Sequence, residues 1–101
     1  MAVVKVLAAF LDDPARDRYG LDLMRDTGLA SGTLYPILAR LERAGWVRVH
    51  WEDIDSAAQG RPARRYYRLT PDGVQAARAN LATLHQQLSK SGAGARRLRT
   101  A

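Results

Sequence analysis

The sequence predicts a mainly helical domain with one small β-hairpin. Three observations lead there: apolar residues recur at helical spacing in four segments, two short segments alternate with period two, and a long polar stretch joins those two. At 101 residues the chain suits one core, since a domain of this size buries only about 60–65% of its unfolded surface. A simple fold completed by a partner is the natural expectation.

The first helix follows from Val3, Val6, Leu7, Phe10 and Leu11, which fall at i, i+3, i+4, i+7 and i+8 and line one side. Asp12, Asp13 and Pro14 end it. Asp17 is the expected N-cap of a short second helix through Leu21, Leu23 and Met24, closed by Gly28 in the left-handed conformation. Ser31 or Gly32 opens the third helix, whose Leu34, Ile37, Leu38 and Leu41 repeat at helical spacing. Gly45 stops it, with Trp46 placed for the usual hydrophobic contact. Pro36 is comfortable only in a first turn, so either this helix begins near Gly32 or it kinks. Two helices joined by a short glycine-bearing turn make a helix-turn-helix candidate, a pattern that many all-helical proteins share.

The segment after Gly45 narrows the choice. Val47, Val49 and Trp51 alternate with Arg48, His50 and Glu52, and Tyr67 and Leu69 alternate with Tyr66 and Arg68, giving two strands with one apolar face. The intervening segment, Asp53 to Ala63, is polar, contains Gly60 and Pro62, and is too long for a tight turn. It reads as a wing, and the fold becomes a winged helix-turn-helix of three helices and a two-stranded wing. A last helix starts with Thr70 at the N-cap, Pro71 in the first position and Asp72 favouring the dipole. Its Val74, Ala77, Leu81, Leu84 and Leu88 repeat at 3, 4, 3 and 4, the spacing of a helix-helix seam. That stripe serves either the chain's own core or a second copy, and the helix's length relative to the domain favours a dimer interface. The expected organisation is therefore 1–70 as the winged domain, 71–90 as a dimerisation helix and 91–101 as a flexible basic tail.

Charge points to a polyanion. The chain carries a net charge of +6, and 14 of its 16 cations are arginine, whose planar fork binds phosphate or guanine through two donors. The first 39 residues are nearly neutral; the excess falls on residues 40–68 and on the tail with Lys90, Arg96, Arg97 and Arg99. Charge alone equally describes a solvated surface.

Enzymatic and metal chemistry find no footing. There are no cysteines, so thiolate ligands, thiol nucleophiles and disulfides are excluded, which suits a reducing cytoplasm. His50 and His85 lack a third ligand nearby in sequence. Asp53 and Asp55 begin like a calcium loop, but Ala58 stands where glycine is required and Arg64 where the bidentate glutamate belongs. No cofactor, metal or catalytic residue is expected. The apolar opening run is interrupted by Lys5 and followed by Asp12 and Asp13, unlike a signal peptide, and no segment reaches the roughly 20 apolar residues of a membrane span.

The third helix points to double-stranded DNA on physical grounds. Opposite its apolar stripe lie Gly32, Pro36, Ala39 and Arg43, flanked by Thr33, Tyr35 and Arg40. Small residues at its start, Ser31, Gly32 and Thr33, let backbone amides and short hydroxyls approach base edges in a major groove. Tyr35, Arg40 and Arg43 have the reach for phosphate or guanine. On the wing, Arg61, Arg64 and Arg65 beside Gly60 and Pro62 suit phosphates or a minor groove, while Arg68 is expected simply to face water.

Several motifs in one order carry a family resemblance: Tyr19-Gly20-Leu21; Ser31-Gly32-Thr33-Leu34-Tyr35-Pro36-Ile37-Leu38; Arg40-Leu41-Glu42 with Gly45; Gly60-Arg61-Pro62; and Tyr66-Tyr67-Arg68-Leu69-Thr70 with Gly73. Together, from about Val3 to Leu88, they resemble the PadR-like transcriptional regulators. The resemblance implies a cytoplasmic, homodimeric winged-helix protein that binds operator DNA and usually represses. Members often have a longer turn before Gly-Thr-Leu-Tyr or a larger C-terminal dimerisation domain; neither is expected here, so a small-molecule effector is left open by the resemblance and unsupported by the residues. Two other readings stand beside it. A winged helix that binds protein through its hairpin has no need of arginines at the wing tip. A small-molecule sensor with an aromatic pocket at the dimer interface is not supported here, because Trp46 and Trp51 both belong to the hairpin region.

Overall fold

The computed structural model describes the backbone of residues 1–100 and the side chains of residues 1–90. In chain order the elements are α1 (Ala2–Leu11), β1 (Arg18–Tyr19), α2 (Gly20–Thr27), α3 (Ser31–Arg43), β2 (Val47–Trp51), α4 (Ser56–Gln59), β3 (Arg65–Leu69) and α5 (Pro71–Thr100). The fold is mainly helical with a small antiparallel sheet. Val6, Leu7 and Phe10 of α1, Leu23 of α2 and Leu34, Ile37, Leu38 and Leu41 of α3 meet in one core, closed by Val47, Tyr67 and Leu69 of the sheet.

The sheet has three strands, in the order β1-β3-β2, where two were expected. Arg18 pairs with Tyr67 and Tyr19 with Tyr66, so β1 covers the edge of β3 that a bare hairpin would leave open. Asp17 consequently caps no helix. It accepts a 2.8 Å hydrogen bond from Arg68 and lies 3.3 Å from His50. The cause is Arg18, whose side chain is buried: it is ion-paired to Asp22 and Asp26 and donates a 2.8 Å hydrogen bond to the carbonyl of Ala9. These bonds tie α1, β1 and α2 together. The same bond from Arg18 holds the Asp22 carboxyl below its ordinary range.

Helix α3 starts at Ser31, which places Pro36 past the first turn and leaves the Gly32 carbonyl without the N–H that residue 36 would supply. Its end is a Schellman motif: Gly45 adopts φ 78°, its N–H reaches Glu42, and the Trp46 N–H reaches the carbonyl of Leu41 at 2.9 Å. The start of α5 is fastened to that turn. Thr70 Oγ1 accepts from the Gly73 N–H at 3.0 Å and donates to the carbonyl of Gly45 at 2.6 Å. A Cβ on Gly73 would sit 2.7 Å from the carbonyl carbon of Trp46, so only glycine allows this approach.

The hairpin keeps the expected register, with Val47 opposite Leu69, Val49 opposite Tyr67 and Trp51 opposite Arg65. Its apolar face fades outward, however, and Trp51 is 65% exposed because the core ends before it. The wing is also more ordered than a plain loop. Asp55 caps the short helix α4 by accepting from the N–H groups of Ala57 and Ala58, and Gly60 closes it at φ 67°.

Along α5 the predicted seam divides. Val74 packs on the core and Ala77 is completely buried, where α5 lies against α1. Ala77 therefore has no surface for a second chain, contrary to its expected place in a dimer interface. Leu81 and Leu84 are half-buried and Leu88 is 60% exposed. The helix continues past residue 90, and the tail expected over 91–101 falls on residues whose side chains lie outside the described ones.

Candidate nucleic-acid interface

Burying Leu34, Ile37, Leu38 and Leu41 turns the opposite side of α3 outward, so Ser31, Gly32, Thr33, Pro36, Ala39, Arg40 and Arg43 are all exposed. Nothing lies within 4 Å of where a Cβ on Gly32 would be, so open space surrounds the start of this face. Tyr35 departs from its neighbours. Its hydroxyl end rests against Gly20, where a Cβ would come within 2.7 Å of the Tyr35 Cζ. The tyrosine leans across the beginning of α2 and remains 45% exposed.

The structure separates the three wing arginines that sequence groups together. Arg61 binds Glu52 through both ends of its fork, at 2.6 and 3.1 Å, and Glu52 also accepts from the Tyr66 hydroxyl at 3.2 Å and the Arg64 N–H at 3.4 Å. Those bonds, Arg61 first, hold the Glu52 carboxyl down at about 2. Arg61 is thus a brace between the two strand ends. Arg65 lies 5.5 Å over the Tyr67 ring and 3.3 Å from the Glu42 carboxylate, linking the wing to α3. Arg64 sits 5.1 Å over the ring of Tyr19, which in turn packs edge-on against Tyr66 at 5.7 Å. Arg68 is exposed but paired with Asp17 rather than facing only water.

These placements bring α3 and the wing to one concavity of about 410 Å³, walled by Tyr19, Leu21, Tyr35, Arg64 and Arg65 with Gly20 and Tyr67 behind. Tyr19 and Leu21 were absent from the residues singled out by chemistry, although Tyr19-Gly20-Leu21 stood among the motifs. The available signal was the Tyr-Gly-Leu motif at the start of a helix; its meaning needs the exposure of Leu21 and the approach of Arg64, which is distant in sequence. Among the described residues no three potential metal ligands gather, and no helix is long and apolar enough to cross a membrane.

A helix with a small-residue outer face, flanked by a basic wing, defines a DNA-binding winged-helix regulator. The chain belongs to the transcriptional regulator PadR-like family, whose model matches residues 9–79. It is therefore a transcriptional regulator and not an enzyme. Solved structures agree. A PadR family transcriptional regulator from Eggerthella lenta is 28% identical with a TM-score of 0.70, covering 86% of this chain and 77% of that one. The protein smu.1704 of Streptococcus mutans is 28% identical with a TM-score of 0.63, covering 91% and 82%. A PadR-like transcription factor from Bacteroides fragilis, 22% identical, shares the fold with a TM-score of 0.66 and covers 92% and 86%. No curated protein matches the sequence significantly.

Proposed function

We propose that the chain is a homodimeric repressor that acts in the cytoplasm on an inverted-repeat operator. The observation that carries this reading is the shared concavity: Tyr35 of α3 and Arg64 and Arg65 of the wing converge on it, so a groove-bound α3 brings the wing against the adjoining backbone. Ser31, Gly32, Thr33 and Arg40 then face base edges, Arg43 serves the backbone beyond them, and Pro36 leaves the Gly32 carbonyl free to accept. Residues 1–70 form the reading head. The helix over 71–90 couples two copies through Leu81, Leu84 and Leu88, with Val74 and Ala77 retained for the chain's own core.

Twofold symmetry places two copies of α3 on successive major grooves, so half-site centres lie about one helical turn, or about 10 base pairs, apart. The test uses duplex DNA from immediately upstream of the protein's own gene, with and without five extra base pairs between the half-sites. Affinity is expected to fall to the nonspecific level on insertion. Equal affinity for both duplexes, or a monomer in sedimentation at tens of micromolar, overturns the reading.

A further inference from the structure

Each wing arginine is held differently, and the difference has a consequence for binding. Arg61 is committed to Glu52 by two bonds, and Arg65 shares its charge with Glu42. Arg64 is aimed by an aromatic ring: its guanidinium lies 5.1 Å above Tyr19, and both residues wall the concavity. A ring restrains the direction of a guanidinium without neutralising it, whereas a carboxylate does both. The other walls suit the remainder of a nucleotide backbone. Leu21, 58% exposed, and the Tyr35 ring offer apolar surface for a deoxyribose. The concavity, about 410 Å³, has room for a sugar–phosphate unit.

We propose that the cleft between Tyr19, Leu21, Tyr35 and Arg64 seats one sugar–phosphate unit of bound DNA, with Arg64 as its phosphate ligand and Tyr19 as the residue that positions Arg64. Gly20 leaves room for the Tyr35 hydroxyl, and a Cβ there overlaps it, so the ring that walls the seat must shift. The proposal rests on the reading that α3 and the wing lie on DNA. The contact is made to the backbone and is independent of base sequence.

The test measures binding of a fluorescein-labelled, random-sequence duplex by anisotropy over a range of salt concentrations, with folding checked by circular dichroism. One phosphate contact contributes about 0.9 to the slope of log affinity against log salt. Tyr19→Leu changes no charge, yet it is expected to lower that slope by about one contact, as Arg64→Ala does, and Tyr19→Phe is expected to restore it. Combining Tyr19→Leu with Arg64→Ala loses no more than either alone. Gly20→Ala, with Tyr19 intact, is expected to lose the same contact. Wild-type slopes in both Tyr19→Leu and Gly20→Ala, with Arg64→Ala still reduced, overturn the proposal alone. Wild-type affinity in Arg64→Ala and Arg40→Ala together removes the whole face from DNA and the proposal with it.

Discussion

Around Arg18 the guanidinium is sealed in, 1% exposed, and its donors end on Asp22, Asp26 and the carbonyl of Ala9; around Arg64 the same group stands exposed over the Tyr19 ring. The two side chains belong to elements paired in one sheet or adjoining it, yet they do opposite things. A buried cation is tolerable only when its charge and all its donors are matched, and that matching locks the elements that supply the partners. An exposed cation held by a ring keeps its charge available for a polyanion. The pattern of arginine partners thus divides residues that hold the winged helix together from residues that present it to DNA.

The largest expected effect tests the sealed cluster. Arg18→Met removes the partner of the buried Asp22, and breaking a buried pair costs about 3–5 kcal/mol. Urea denaturation should show that loss. Arg64→Ala, at an exposed position, should stay within about 0.5 kcal/mol of wild type. Equal stability losses for the two variants would erase the distinction.

Acid sharpens the comparison next. Asp22 and Glu52 both have carboxyls held below their ordinary range by an arginine hydrogen bond. Each stabilises the folded state fully above its ordinary value, and that contribution is lost as pH falls through the depressed one. For Glu52 the window runs from 4.5 down to about 2. NMR titration of its carboxyl should find a midpoint of about 2 in the wild type, moving back toward 4.5 in Arg61→Ala. An unchanged midpoint would show that Arg61 does not brace the wing.

Much of this division was hidden in the sequence for physical reasons. The core helices were legible because Val6, Leu7 and Phe10 and the α3 leucines obey the helical period, and the hairpin register followed from alternation. Strand β1 was not, because two residues carry no period, and α4 is too short to show one. Asp55 resembled the start of a calcium loop and proved to be a helix cap. The alternation that placed Trp51 on the apolar face runs farther than the core does. The candidate site was half legible. Helical geometry turned Ser31, Gly32, Thr33 and Arg40 outward, but which wing arginine is free depends on Glu52, Glu42 and Tyr19, partners that only the folded chain brings near. The i,i+4 spacing of Arg18 and Asp22 was a visible clue to the sealed cluster.

The most direct measurement compares the two neighbouring wing arginines in DNA binding. Salt titrations with a random-sequence duplex are made for the wild type, Arg64→Ala and Arg61→Ala. Arg64→Ala should lower the log–log slope by about 0.9, the loss of one phosphate contact, whereas Arg61→Ala should weaken binding modestly and leave the slope at its wild-type value. The reverse result, with the unit of slope lost from Arg61→Ala and retained in Arg64→Ala, would contradict the assignment of DNA contact to the ring-held arginine.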